Sequence, residues 1–284
     1  IRLIAAFDHR HIFIDPDPDP EISYRERERL FRLPSSSWDD YRRDCLSEGG
    51  RIWPRTAKRI PLSPQARAAL GLPETVTALT PPELIQTILR APVDLLYNGG
   101  IGTYVKASTE SHAEAGDRAN DAVRVDANTL RCRIVGEGGN LGFTQRARVE
   151  YALLGGRIET DAIHNSGGVD CSDHEVNLKI ALGLGVEHGK IAAETRDARF
   201  MGMADAVVQA VLHDNFTQTE AIALDALRGG HGWPAWRHFI SRLVAEKLLD
   251  RRLERIPSDV EMAEREENGV GLTRPELAVL LAYA

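Results

Sequence analysis

Apolar and polar positions follow two rhythms along this chain, and the change between them divides it. Residues 1–8, IRLIAAFD, form a short unbroken apolar run closed by an acid, the pattern of a buried strand ending at Asp8. A second run, at 93–97, stops at Asn98, Gly99 and Gly100, and a third, RCRIV, enters GEGGNLG at 136–142. Between these runs the spacing is helical, with recognisable ends. Ser63 caps and Gly71 stops LSPQARAALG, Thr80 and Glu83 frame a capping box, and residues 144–154 continue from the glycine turn as a helix. SSSWDDYRRDCLSEGG predicts one more short helix, with Ser37 as its cap, Asp40 in the box position and Gly49 at its end. Strand signals cease near Glu175, and later segments carry only helical spacing and caps. The pattern predicts an α/β fold with a mainly parallel sheet, followed by an all-helical C-terminal region.

Composition narrows the function. The chain is 43% hydrophobic with a formal net charge of -7, which argues against a nucleic-acid surface, since phosphates call for a basic patch. YRERERLFR alternates sign and reads as a solvated face. The Asp-Pro repeat at 15–20 reads as a stiff extended surface segment. No apolar run approaches membrane-spanning length, so no membrane partner is expected. Cys45, Cys132 and Cys171 are too scattered for a disulfide framework, which points to a reducing, cytoplasmic setting. The chain opens inside an apolar run and closes inside a capped helix, LTRPELAVLLAYA, which suggests a piece of a longer polypeptide.

In parallel α/β sheets ligands gather at the carboxyl ends of strands. Asp8 is placed there as either an acceptor for ribose hydroxyls or an ordinary loop acid. Gly136, Gly138 and Gly142 fit a loose dinucleotide fingerprint, with Glu159 or Asp161 at the ribose-acid distance. Against that, Asn140 puts a side chain where a pyrophosphate needs bare backbone. NSGGVDCSDHE, at 165–175, is the densest polar stretch. A metal site there is a weaker reading than an acid-rich helix start, because consecutive residues point in different directions, so no metal is expected.

VGEGGN (135–140) and NSGGVDCSDHE together resemble the cofactor domain of glutamate dehydrogenases, and the long arms around them look like the very large bacterial NAD-specific members. The resemblance implies an oxidoreductase that deaminates L-glutamate to 2-oxoglutarate and ammonia, with NAD as hydride acceptor. It implies an incomplete, Rossmann-like dinucleotide-binding domain over 1–185, a helical region over 186–284, and assembly as a homo-oligomer. Asp8, Asn98, Gly99, Asn140 and Asn165 would face the cofactor, and Val169 and Ser172 would line the glutamate pocket. No catalytic residue is expected in this chain: the family's pyrophosphate loop, lysine and aspartate would lie in a missing N-terminal part of the same polypeptide. The alternative is a non-catalytic nucleotide-binding or regulatory scaffold module. A metal-dependent hydrolase built on residues 164–175 ranks last.

Overall fold

The computed structural model describes residues 1–284. In chain order it runs β1 (Ala5–Phe7), β2 (His11–Ile14), α1 (Pro20–Phe31), β3 (Arg51–Pro54), β4 (Ile60–Pro61), α2 (Pro64–Leu70), β5 (Ala78–Leu79) and α3 (Pro81–Leu89). Then come β6 (Leu95–Asn98), β7 (Val105–Lys106), α4 (His112–Ala115), β8 (Val125–Asp126), β9 (Ile134–Glu137), α5 (Gln145–Leu153) and α6 (Asp161–His164). The rest is helical: α7 (Asp170–Glu187), α8 (Arg196–Met201), α9 (Ala204–Ala226), α10 (Trp233–Ala245), α11 (Asp259–Glu267) and α12 (Arg274–Leu281). No helix is long and apolar enough to cross a membrane. The chain divides into two compact units, one of Ile1–Leu96 with His112–Arg133, the other of Tyr97–Ser111 with Ile134–Ala284.

In the first unit β1, β2 and β3 form an antiparallel sheet, with Ala6 opposite Phe13 and Phe13 opposite Ile52. The strand that ends at Asp8 is therefore one arm of a hairpin and not a strand of a parallel sheet. The helix ends follow the sequence closely: Ser63 Oγ caps α2, Gly71 takes the left-handed conformation after it, and Thr80 and Glu83 close the box on α3. The stretch from Ser37 departs from the predicted helix. It makes two single 3-10 turns, Trp38–Asp40 and Arg43–Cys45, although the Ser37–Asp40 box is present. The reason is packing: the rings of Trp38 and Tyr41 both lie 4.9 Å from that of Phe13. A 3-10 turn aligns residues three apart, which puts both rings over one partner. The solvated face read in YRERERLFR is also incomplete. Glu26 is buried inside it, holding Arg29 of its own helix and Arg42 from beyond it.

Parallel pairing belongs to the second unit. There Ile134 bridges Arg157 and Val105 bridges Phe143, both in parallel register. Beyond these strands a helical core takes over. Trp233, Ile240, Leu243, Met262, Leu272 and Leu277 are buried together, and the Trp233 and Trp236 rings meet edge to face at 5.5 Å. Such aromatic pairs stabilise beyond their buried area. A mixed α/β chain with a helical end thus stands, with antiparallel strands in one unit and short parallel pairings in the other.

Candidate functional site

The site starts where β9 stops. Val135 is fully buried, Glu137 closes the strand, and the chain turns through residues 138–142 before Thr144 caps α5 by accepting the Ala147 N–H. The end of β6 lies alongside: the Asn98 carbonyl accepts the Gly138 N–H at 2.8 Å. Two glycine turns then touch backbone to backbone. A Cβ on Gly139 would come within 2.7 Å of the Gly100 oxygen, so only glycine permits the approach. Asn98 Nδ2 is shut off from solvent with no hydrogen-bond partner. Beyond the turn, Asn165 Nδ2 donates to Asn140 Oδ1 at 2.6 Å. The structure thus places Asn98 and Gly99 on the strand end and turn that abut the 138–142 turn, and joins Asn140 of that turn to Asn165. Val169 follows at the cap of α7, with the exposed Ser172 on its first turn.

Asp8 belongs to the other unit. It occupies the turn between β1 and β2, where its Oδ1 accepts the N–H groups of Arg10 and His11 at 2.6 and 2.7 Å. One carboxylate oxygen is thus committed to shaping the hairpin.

The turn under Asn140 is braced by an ionic network that sequence reading missed. Arg148, on α5, forks onto Glu137 at 2.7 and 2.9 Å, and the same carboxylate accepts the Phe143 N–H at 3.1 Å. Arg148 also reaches Asp161 at 3.2 Å, and Asp161 accepts the Leu141 N–H at 2.8 Å. Leu141 has a φ of 62°, a conformation unfavourable for a branched side chain, so this bond holds a strained residue in place. Burial pushes the Glu137 carboxyl up, ahead of the downward pull of Arg148. Burial also disfavours the charged Arg148, but its bonds to Glu137 outweigh that and hold it above its ordinary value. The guanidinium keeps its charge at any working pH, and a bidentate fork needs two acceptor oxygens, so the pair is ionised near neutrality.

His164 links this turn to a second network. Its Nδ1 accepts the Glu137 N–H at 3.3 Å and its Nε2 faces Glu159 at 3.3 Å, which fixes the proton on Nε2. Glu159 also receives Arg274 from α12, and although burial opposes it, His164 and Arg274 together hold its carboxyl below the ordinary range. From α9, Asn215 donates to the Ile163 carbonyl and the Ser166 hydroxyl, both at 2.8 Å, and so supports the loop that carries Asn165. The Arg148 and Glu159 clusters could be suspected from sequence only as charged residues flanking the glycine turn. Asn215 gave no local signal at all.

Neutral amides beside glycine backbone can orient a carboxamide or a sugar hydroxyl, but they cannot move a proton.

Comparison with known proteins gives the family. A family model described as bacterial NAD-glutamate dehydrogenase, catalytic domain, matches residues 1–225. A protein of Mycobacterium tuberculosis named NAD-specific glutamate dehydrogenase is 54% identical over the whole chain, which spans 18% of that protein. Proteins of the same name from Halomonas elongata and Pseudomonas aeruginosa are each 51% identical over all of the chain, which spans 18% and 17% of them. The chain thus covers less than a fifth of the length of these relatives.

Proposed function

This chain belongs to the bacterial NAD-glutamate dehydrogenase family, and on that premise we propose that it is the C-terminal part of an enzyme that oxidises L-glutamate to 2-oxoglutarate and ammonia. The observation that carries the reading is the Asn140–Asn165 pair standing over two abutting glycine turns, inside the matched region. A nicotinamide cofactor fits these residues. The Asn98 amide has a buried hydrogen-bond group still to satisfy, and Gly139 lies against the Gly100 backbone with no side chain between them. Bound NAD would supply the hydride acceptor.

In this reading Asn140 and Asn165 hold the nicotinamide ribose or carboxamide, and Asn98 and Gly99 border the cofactor. Val169 and Ser172 line the glutamate pocket, where the Ser172 hydroxyl donates to the distal carboxylate. Residues 1–185 form the incomplete, Rossmann-like cofactor domain, and 186–284 the helical region. Alignment of ring and substrate is this chain's contribution to rate, since held reactants lose little further entropy on reaction. Acid/base chemistry comes from another part of the polypeptide, which assembles as a homo-oligomer in the cytoplasm.

Ser172→Ala in the intact enzyme tests the reading. One hydrogen bond to a charged carboxylate is worth roughly 1.5–3 kcal/mol, so the Michaelis constant for glutamate should rise about tenfold or more, with NAD affinity nearly unchanged. Equal losses for both ligands would remove Ser172 from the substrate pocket. The isolated chain should form no NADH from glutamate; turnover would show that it carries acid/base residues of its own.

A further inference from the structure

The polar start of α7 contains side chains that the dehydrogenase reading leaves unused. Asp170 and His174 stand one helical turn apart on α7, and Asp214 reaches them from α9. His174 Nε2 lies 3.5 Å from Asp170 Oδ1 and 4.0 Å from Asp214 Oδ2. One ligand atom from each residue falls within 4.8 Å of the other two. These separations are too long for hydrogen bonds. Yet His174 Nε2 and Asp170 Oδ2 are both closed off from solvent and have no hydrogen-bond partner. Unsatisfied buried polar atoms are costly, and here two of them come together from the same helix beside a third ligand from another.

We propose that Asp170, His174 and Asp214 bind one divalent transition-metal ion, of the Zn²⁺ or Mn²⁺ class, that clamps α7 to α9. Metal–ligand bonds of about 2.0–2.2 Å around one centre separate neighbouring ligand atoms by roughly 3–3.5 Å. The two His174 distances of 3.5 and 4.0 Å are near that value, and the widest separation, up to 4.8 Å, has to close by the swing of Asp214 towards α7. Two carboxylates and a neutral imidazole balance a doubly charged ion. The imidazole selects against Ca²⁺ and Mg²⁺, which take oxygen ligands. Three protein ligands leave the remaining positions to water. The spacing of Asp170 and His174 is visible in the sequence, whereas Asp214 is added only by the packing of α9 on α7. The clamp fixes the helix start that presents Val169 and Ser172, so its role is to position that turn. The site itself stands whether or not the dehydrogenase assignment does.

The test is titration of the metal-free chain with Zn²⁺, Mn²⁺, Ca²⁺ and Mg²⁺ salts, read by calorimetry and by thermal unfolding. The expected result is one Zn²⁺ or Mn²⁺ per chain and a melting temperature that rises with either ion but not with Ca²⁺ or Mg²⁺. His174→Asn and Asp214→Asn should each weaken binding by roughly tenfold or more. His188→Asn, an exposed histidine just past the end of the same helix, should leave binding unchanged. The three side chains of the cluster are partly exposed, so the variants should keep the wild-type circular dichroism. The proposal is overturned by the absence of a stoichiometric site, by binding that survives both cluster variants, or by an equal response to Ca²⁺.

Discussion

Two buried glutamates, one in each unit, are held by arginines and yet behave differently. Glu26 is almost fully buried, but its partners Arg29 and Arg42 keep 38% and 59% of their side chains exposed. The hydrogen bond from Arg29 is the largest influence on it, and its carboxyl is held below the ordinary range. Glu137 has no exposure, and its partner Arg148 has 7%. There burial is the largest influence and the carboxyl is pushed up. The chemistry is the same and the solvation is not. A carboxylate whose cations remain wet gains from the pairing, whereas a pair buried on both sides spends most of its attraction on lost hydration. The first cluster joins α1 to the turns that follow it. The second is retained where a strained turn must be held still beneath Asn140.

The sharpest way to break the comparison is to remove one cation from the dry pair. Arg148→Met leaves Glu137 buried without a counter-charge and should cost roughly 3–5 kcal/mol, read as a lower denaturant midpoint. Glu26→Gln should cost less, about 1–2 kcal/mol, because its arginines can return to water. If the wet-sided variant proved the more damaging, burial would not be what separates the two sites.

Acid sharpens the same contrast. Glu26 has a lowered folded value, so its contribution is present above the ordinary glutamate value and is lost as the pH falls through the lowered one. The gap in stability between the native chain and Glu26→Gln should therefore be widest near neutrality and close towards acid. Glu159, also lowered, should act in the same direction. Glu137 is raised, so its pH-dependent part has the opposite sign: present below the ordinary value and lost as pH rises through the folded one. The gap for Glu137→Gln should narrow towards neutrality. Unfolding curves measured across the acid range check all three, and parallel slopes for Glu26→Gln and Glu137→Gln would refute the difference.

What the sequence made legible follows the range of the interactions. Caps and stops are local, so Ser63, Thr80 and Thr273 were readable, and the box at Thr273 is closed by Glu276 as its spacing implies. The glycine turn and the helix after it were also readable, because a strand end, small residues and a capping threonine lie within a few positions. Pairing direction was not. A short apolar run looks the same in a hairpin as in a parallel sheet, and so β1 was misplaced. The braces around the turn join residues far apart in the chain, such as Glu159 with Arg274, and no local pattern announces them. Asn140 and Asn165 were named separately by resemblance; that they share a hydrogen bond is a fact of the fold.

The smallest expected effect asks whether the dry network exists to hold the turn. Leu141 has its backbone in the left-handed region with its side chain largely in water. Leu141→Gly relieves the conformational cost, about 1–2 kcal/mol, but adds unfolded-state freedom worth roughly 0.5–1 kcal/mol. Stability should therefore change by about 0–1.5 kcal/mol, in the stabilising direction. Asp161→Asn weakens both the acceptor for the Leu141 N–H and the second partner of Arg148, and alone it should destabilise. If Asp161 acts by holding a strained residue, its loss should matter less once glycine has removed the strain. A double-mutant cycle on Leu141 and Asp161 should then show a coupling of about 0.5–1 kcal/mol. Strict additivity would mean that Asp161 serves Arg148 alone and that the turn keeps its shape without it.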